Sequence, residues 1–260
     1  MSAWLQSLVL GILQGLTEFL PVSSSGHLVL LQLWLGDAFA FAQSAVAFDL
    51  ALHLGTLIPV LWYYRADVQE LATAPRRNAR TIALLVVATL PTAFIGLMFK
   101  DVFEELFHTP RAVAVALLVT GGLLVSTRWS DRGPDGRRRE IGFAAAMIIG
   151  VAQGLAITPG ISRSGSTIAV ALLLGSGRAE AARFSFLLSV PAIMGASVLV
   201  AKDGVSFAPE LWAPLGVGFL VSATVGYAAL RWLVQLVRAG RLYRFAFYVV
   251  PLAALAWFSS

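Results

Sequence analysis

The sequence contains no cysteine, and it has few charged residues for its length. The absence of cysteine excludes disulfide bonds, thiolate nucleophiles and thiolate metal ligands, and it leaves the redox compartment open. Only 13% of the 260 residues are charged and 58% are hydrophobic, whereas a soluble domain carries about 25% charged residues. With a mean hydropathy of +0.80, the chain has too few polar side chains to cover a surface that faces water.

Long uncharged runs take the place of a polar surface. A helix needs roughly 20 residues to cross a hydrocarbon core of about 30 Å. The runs that approach or reach this length are Thr81–Phe99, Ile141–Ser162, Phe184–Ala201 and Leu211–Leu230. Strand-like alternation is absent, and helices satisfy their own backbone hydrogen bonds in lipid. The sequence therefore predicts an all-α polytopic membrane protein.

The net charge of +5 resides mainly in short segments between the apolar runs. The arginine-rich segments are 65–80, 128–139, 178–183 and 231–244. By the positive-inside rule these segments are cytoplasmic, whereas 100–111 and 202–210, which hold several acids and few bases, lie outside. This pattern indicates orientation in a membrane and gives no support for nucleic-acid binding.

Two polar interruptions break the apolar pattern, at Glu18–His27 and Pro159–Thr167. An ionisable side chain at mid-membrane costs roughly 2.5–3.5 kcal/mol, so the acid, the imidazole and the guanidinium in these segments are functional candidates. Each interruption leads into an apolar piece, Leu28–Leu35 or Ser166–Ser176, that is too short to span a bilayer. Each pair of pieces therefore predicts a re-entrant helical hairpin.

The two interruptions belong to an internal repeat with an offset of 139 residues. Gly11–Gly26 lies over Gly150–Gly165, with a glutamine and two serines in register. The loop charges require the two halves, about 1–130 and about 140–260, to be inverted within a single membrane domain, 1–260. In each half we expect three transmembrane helices after the hairpin, at Ala45–Tyr64, Thr81–Phe99 and Ala112–Thr127, and at Phe184–Ala201, Leu211–Leu230 and Phe245–Trp257.

The first interruption carries the groups of a nucleophilic centre. Ser23, Ser24 and Ser25 stand between Glu18 and His27. A neutral imidazole beside a hydroxyl can act as a base and then as an acid, so we expect Ser24 or a neighbouring serine as the nucleophile, with Glu18 orienting His27 or binding a cation. The alternative is that the serines only allow close helix packing.

The second interruption offers a site for an anion. Arg163 presents a planar set of donors that suits phosphate oxygens, and the amides of a Gly/Ser-rich helix start would add to it. The alternative is a buried ion pair with Glu18 and no ligand. Asp49 and His53 lie one helical turn apart and would line the cavity or bind a metal. On these residues alone, hydrolysis of a lipid phosphate and transport of an anion are both open.

At these positions the sequence resembles the undecaprenyl-diphosphate phosphatase family, the bacitracin-resistance type of bacterial inner-membrane enzyme. The motifs that carry the resemblance are QGLTEFLPVSSSGHL at 14–28, FDLALHLGT at 48–56, PGISRSGST at 159–167 and FSFLLSVPAIMGA at 184–196. The resemblance covers essentially the whole chain. It implies hydrolysis of undecaprenyl diphosphate, a polyprenyl lipid, to the monophosphate and phosphate, which regenerates the lipid carrier for peptidoglycan synthesis.

The resemblance also implies roles for individual residues. Ser24 would be the nucleophile, His27 would serve acid–base catalysis, and Glu18 would serve catalysis or cation binding. The expected substrate-binding residues are Arg163, Ser162, Ser164, Thr167, Ser23, Ser25 and Gln14. Gln14 stands where many members of the family have glutamate. A divalent cation, Mg²⁺ or Ca²⁺, is implied, with Glu18 and Asp49 as candidate ligands.

We expect the protein in the bacterial inner membrane, with its site open to the outer, periplasmic face. Its expected partners are the polyprenyl diphosphate substrate and membrane lipid, and a homo-oligomer is left open. Inverted repeats are also typical of transporters, so the rival function is a transporter or flippase for a phosphorylated lipid. The enzyme interpretation expects Ser24 within hydrogen-bond reach of His27, directly or through a water, and close to Arg163.

Overall fold

The computed structural model of the chain describes residues 2–35, 45–130, 140–202 and 209–259, which form helices joined by turns and short loops. This confirms the expected all-α class. The arginine-rich segment 128–139 and the segment 202–210 lie largely outside the described residues. The helices are α1 (Ala3–Phe19), α2 (Ser24–Leu35), α3 (Ala45–Tyr63), α4 (Arg65–Thr73), α5 (Ala79–Met98), α6 (Lys100–Phe107), α7 (Pro110–Ser126), α8 (Phe143–Leu155), α9 (Arg163–Leu173), α10 (Arg178–Lys202), α11 (Trp212–Arg238) and α12 (Ala246–Phe258). Short 3₁₀ helices are Thr127–Trp129, Pro209–Leu211 and Leu242–Phe245.

The apolar segments of the sequence are helical throughout the described residues. Four helical stretches there are long and apolar enough to cross a membrane: Ala79–Met98, Pro110–Trp129, Arg178–Lys202 and Pro209–Arg238. The shorter apolar helices are Phe48–Tyr63, Phe143–Leu155 and Leu242–Phe258. The chain is a multi-pass membrane protein. α10 and α11 extend past their predicted ends into arginine-bearing turns, because long basic side chains reach the interface from helix ends without breaking the helix.

Two short helices, α4 and α6, occupy segments that the sequence predicted as loops. α4 has no buried residue, and α6 buries only Phe103. A polar helix at the protein surface has nearly the composition of a polar loop, so hydropathy does not separate the two. Both helices directly follow apolar helices, α3 and α5.

The two polar interruptions are shorter than predicted. α1 runs past Glu18, and α2 already begins at Ser24, so only Leu20–Ser23, the first tip, separates them. Likewise α9 begins at Arg163, and the second tip is 156–162. Both helices start inside the polar segments because serine hydroxyls satisfy the free amides at helix N-termini.

Small residues let the helices approach closely. α1 packs along α11, α5 packs along α8, and α7 packs against α12. Gly15 on α1 lies against the backbone of α11, where an added Cβ would be 2.9 Å from the Ser222 carbonyl oxygen and from the Gly226 amide nitrogen. Close contact of this kind is a main source of helix association in membranes.

Gly15→Ala should therefore destabilise the protein. The new methyl group has no room unless α1 and α11 separate, and such overpacking costs about 1–3 kcal/mol. Gly122→Ala on α7 is the matched control, because a Cβ there meets nothing within 4 Å and alanine favours a helix by up to about 1 kcal/mol. The thermal unfolding midpoint in detergent is the measurement. Equal midpoints for the two variants would contradict the packing argument.

Candidate active site

The two tips touch through Ser23. Its hydroxyl oxygen accepts hydrogen bonds from the amides of Gly160, at 3.0 Å, and Gly26, at 3.2 Å. Ser23 has a φ of 68°, and among the described residues it is the one non-glycine residue with a positive φ. A backbone conformation of this kind costs about 1–3 kcal/mol and persists only where surrounding contacts impose it. The contacts between the tips therefore hold Ser23 in this conformation.

Thr120 on α7 fixes the second tip. Its hydroxyl donates to the Gly160 carbonyl oxygen at 2.8 Å and accepts from the Ser162 amide at 3.0 Å. Gly160 has a φ of 100°, which favours glycine. Ser162 then caps α9, because its hydroxyl oxygen accepts from the Gly165 amide at 3.1 Å. Thr120 thus sets where α9, and with it Arg163, begins. Sequence reasoning missed Thr120, since a single threonine in an apolar helix has no distinguishing motif.

The carboxylate of Glu18 is the centre of the site. It forms an ion pair with Arg163 between α1 and α9. The Ser24 hydroxyl donates to its Oε2 at 2.7 Å, and Gln14 Nε2 donates to the same oxygen at 3.1 Å. Glu18 is only 8% exposed, so these donors compensate a charge that has lost most of its water. Ser24 and Arg163 share one carboxylate and lie close together, as expected.

The hydrogen bonds of His27 do not include the Ser24 hydroxyl, which the sequence expected it to reach directly or through a water. Its Nδ1 lies 2.7 Å from the Ser23 carbonyl oxygen, and its Nε2 lies 2.8 Å from the Tyr248 hydroxyl. The two rings stack with centroids 5.7 Å apart and planes 8° apart. Because α2 begins as early as Ser24, His27 extends from the first turn of that helix towards α12. Both ring nitrogens are thus occupied away from the serine.

His53 is the imidazole that approaches Glu18. Its Nε2 lies 3.7 Å from Glu18 Oε2, and its Nδ1 lies 3.2 Å from Asp49 Oδ1. Nδ1 is also 2.8 Å from the Asp49 carbonyl oxygen, one turn earlier in α3. The sequence signal for this pair was its helical spacing. The structure adds that the pair lies against the carboxylate that holds Ser24.

A cavity of about 800 Å³ opens at these groups. Its polar end is lined by the expected residues Glu18, Ser23, Ser24, Ser25, Ser162 and Arg163, together with Asp49 and His53. Most of the remaining wall is apolar, with Leu10, Leu28, Phe48, Leu52, Ile157 and Ile193 among its side chains. The cavity therefore suits a ligand with a polar head and an apolar tail.

Four of the expected site residues lie outside the cavity lining. These are His27, Ser164, Thr167 and Gln14. The hydroxyls of Ser164 and Ser162 are 3.3 Å apart, and Thr167 donates to the Arg163 carbonyl oxygen at 2.8 Å. These side chains therefore contact cavity residues and do not face the cavity themselves.

Gln153 is a cavity residue whose role the sequence left undecided. Its Nε2 donates to Thr92 Oγ1 at 3.2 Å, and both residues line the cavity wall. Its carbonyl oxygen is buried and has no hydrogen-bond partner among the described residues. That oxygen is available to a ligand donor or to a water.

Two carboxylates line the polar end of the cavity, Glu18 and Asp49, with His53 between them. The described residues contain no group of three His, Cys, Asp or Glu side chains that could hold a metal ion. Beside Glu18, the buried carbonyl oxygen of Gln14 has no hydrogen-bond partner within the described part of the chain. Mg²⁺ is commonly bound by one or two carboxylates together with substrate phosphates. The two carboxylates that line the cavity fit a cation shared with a phosphate ligand, and the Gln14 oxygen lies behind Glu18, outside the lining.

Comparison with known proteins agrees with the expected family. The model of the family described as bacitracin resistance protein BacA matches residues 7–255. The chain belongs to this family. A BacA-family relative from Desulfosudis oleivorans is 47% identical over 264 residues, 94% of each chain. A relative from Syntrophotalea carbinolica is 46% identical over 258 residues, 95% of each chain. A relative from Carboxydothermus hydrogenoformans is 44% identical over 251 residues, 94% of this chain and 92% of the relative. All three are named undecaprenyl-diphosphatase.

Thr120→Val should destabilise this BacA-family chain by loosening the second tip. The substitution leaves the Gly160 carbonyl and the Ser162 amide without their partner, and each unsatisfied buried group costs about 1–3 kcal/mol. Thr120→Ser keeps the hydroxyl and should retain most of the stability. Thr89→Val is the control, because Thr89 bonds only within its own helix, to the Leu85 carbonyl. Thermal unfolding in detergent is the measurement, and a Thr120→Val protein no less stable than Thr89→Val would argue against the role given to Thr120.

Proposed function

We propose that the chain hydrolyses undecaprenyl diphosphate to undecaprenyl phosphate and inorganic phosphate, and so recycles the lipid carrier of cell-wall synthesis. The observation that carries this proposal is the 2.7 Å hydrogen bond from Ser24 to Glu18, beside Arg163 and at the polar end of an apolar cavity. A hydroxyl paired with a carboxylate is an arrangement that activates a nucleophile. Relatives that match nearly the whole chain carry the name of this activity.

The diphosphate binds where α2 and α9 begin. Ser24 and Arg163 are the first residues of these helices, and the free amides of a helix N-terminus favour an anion. The Arg163 guanidinium and the hydroxyls of Ser23, Ser25 and Ser162 add side-chain donors. Ser164, Thr167 and Gln14 support these groups from behind through the contacts described above. The polyprenyl tail follows the apolar wall and continues into the surrounding lipid.

Ser24 Oγ attacks the terminal phosphorus, and its proton passes to Glu18 Oε2. The bond from that phosphorus to the bridging oxygen breaks, so undecaprenyl phosphate leaves and a phosphoserine remains. Water then attacks the phosphoserine phosphorus. As the bond to Ser24 Oγ breaks, Glu18 returns its proton to that oxygen, and inorganic phosphate carries away the oxygen of the water. The positioned donors at the helix starts stabilise the charge on the phosphoryl oxygens.

The acid–base role expected of His27 passes to Glu18, the group that contacts Ser24. His53, held by Asp49, lies beside this carboxylate and keeps it facing the serine. His27 acts as a positioning residue, because its contacts with Ser23 and Tyr248 join the first tip to α12.

A divalent cation, Mg²⁺ or Ca²⁺, would be held by Glu18 and Asp49, with the Gln14 carbonyl oxygen nearby. When bound, such a cation would supply positive charge that stabilises phosphate oxygens. The protein's own contribution there is the pair of carboxylates and the placement of His53 between them.

The membrane arrangement that fits this site is a single domain of two inverted repeats, about 1–130 and about 140–260. The two tips share their local hydrogen bonds: Ser23 caps Gly26 at 3.2 Å as Ser162 caps Gly165 at 3.1 Å. In the repeat α1 corresponds to α8, and α5 corresponds to α11. The packing of α1 on α11 therefore has its counterpart in the packing of α8 on α5. Each hairpin is re-entrant. With the arginine-rich segments cytoplasmic, the protein lies in the bacterial inner membrane and the cavity opens to the periplasmic face.

The test of the function is release of inorganic phosphate from undecaprenyl diphosphate by the purified protein, with and without Mg²⁺ or Ca²⁺. Ser24→Ala, Glu18→Gln and Arg163→Gln should each lower the rate by at least about a hundredfold, as losses of a nucleophile or a charge-stabilising donor do. Ser126→Ala and Arg76→Gln, outside the cavity, are the matched controls.

The same measurement separates the alternatives. Activity that survives Ser24→Ala would transfer the attack to water, and a phosphoserine detected at Ser24 by mass spectrometry would exclude that route. No release by a folded protein with any cation would favour the transporter or flippase, in which Arg163 matters and Ser24 tolerates alanine.

The two histidines should respond differently to substitution. Tyr248→Phe removes the hydroxyl partner of His27. It should therefore lower the rate of phosphate release nearly as much as His27→Gln does, and both variants should have a lower unfolding midpoint than the parent. His53→Gln should lower kcat at least about tenfold without lowering the midpoint comparably, since 1.4 kcal/mol of lost transition-state stabilisation is a factor of ten. His108→Gln is the control. Full activity in Tyr248→Phe beside an inactive His27→Gln would return the acid–base role to His27.

A further inference from the structure

A second polar cavity lies between the α3–α4 junction and α11. It has a volume of about 360 Å³ and is lined by three arginines, Arg65, Arg231 and Arg238, with Tyr63 and Tyr227 beside them. It is separate from the active-site cavity. Tyr63 lies at the opposite end of α3 from the site residues, ~15 Å beyond His53 at 1.5 Å per residue.

The cavity gathers positive charge that no carboxylate of the described residues neutralises. Within the described part of the chain, no carboxylate lies at ion-pair distance from Arg65, Arg231 or Arg238. Asp67, on the same helix as Arg65, is instead paired with Arg183 at 2.6 Å. Like charges around one cavity repel each other, and an anion placed among them removes that repulsion. The cavity is therefore complementary to an anion.

Aromatic rings hold two of the guanidinium groups in place. Arg65 lies 5.4 Å from the ring centroid of Trp62 and donates to the Trp62 carbonyl oxygen at 3.1 Å. Arg231 lies 5.8 Å from the ring centroid of Tyr227. A guanidinium has five N–H donors, so these contacts fix the groups and leave donors for ligand oxygens. Planar donors fixed in this way suit phosphate.

The surroundings place this cavity at the level of the lipid head groups. Trp62 and Trp232, on the two elements that form it, are 60% and 50% exposed, and exposed tryptophans concentrate at membrane interfaces. Basic pockets between transmembrane helices bind anionic lipid head groups, and the volume is at the small end of ligand pockets. We infer that this cavity binds the phosphate head group of an anionic phospholipid, whose acyl chains stay in the bilayer. The inference does not depend on the proposed hydrolysis.

The test is native mass spectrometry of the full-length protein with phosphatidylglycerol or phosphatidylcholine of the same acyl chains. The protein should retain phosphatidylglycerol in preference to phosphatidylcholine. Arg231→Gln/Arg238→Gln should weaken that retention by at least about tenfold, because two charge-assisted donors are lost. Arg76→Gln/Arg77→Gln is the matched control. It makes the same change in charge on an exposed segment, and the positive-inside rule assigns that segment to the same side of the membrane. Thermal unfolding checks that both double variants fold, and phosphatidylglycerol should raise the midpoint of the parent and of the control only.

Three outcomes would overturn the inference. Equal retention of the two lipids would exclude selection for an anionic head group. An equal loss in both double variants would assign the preference to diffuse surface charge. Displacement of phosphatidylglycerol by inorganic phosphate alone would make a free phosphate, and not a lipid, the ligand of this cavity.

Discussion

The ion pair between Arg163 and Glu18 is the contact on which the rest of the site depends. It joins the start of α9 to the end of α1, and the two side chains are 20% and 6% exposed. Removing a charge pair from water costs several kcal/mol for each ion unless other groups also bind it. Ser24 and Gln14 provide such groups for Glu18. The ion pair forms only when the end of α1 and the start of α9 are held at a fixed distance, so both tips must be fixed. The hydroxyls of Ser23 and Thr120 fix them.

The same pair prepares the site for the proposed reaction. In the structure, Glu18 neutralises Arg163 and accepts a hydrogen bond from the Ser24 hydroxyl. A diphosphate gives Arg163 a second set of oxygens, so the guanidinium can turn from the carboxylate to the ligand with its charge still balanced. Glu18 would keep its hydrogen bonds from Ser24 and Gln14, and without the neighbouring positive charge its ability to take the serine proton would increase. In the proposed reaction, substrate binding and activation of the nucleophile are thus linked through one carboxylate.

The sequence predicted the class of fold, the apolar helices and the central residues of the site, because each of these has a local signal. Glu18, Ser24 and Arg163 stand out as polar residues in apolar surroundings, and the structure places them together. Other contacts have no local signal. Thr120 is one hydroxyl in an apolar helix, and its importance comes from Gly160, forty residues later. The direction of the His27 ring has no local signal for the same reason: it depends on Tyr248, which only the packing of α12 against the first tip brings near.

The two halves of the proposed repeat differ where the chemistry requires it. Their tips share the serine caps and the close serine pairs, with Ser23 and Ser25 3.3 Å apart and Ser162 and Ser164 3.3 Å apart. Between these matched serines, Ser24 in one half stands over Arg163 in the other. Serine at both positions would give two hydroxyls and no strong donor for the phosphate. Arginine at both positions would give two guanidinium groups that repel each other, and the site would lack a nucleophile. Phosphoryl transfer needs one group to attack and another to hold the oxygens. In the proposed reaction, the differences between Ser24 and Arg163 and between Glu18 and Ile157 supply both groups from one backbone template.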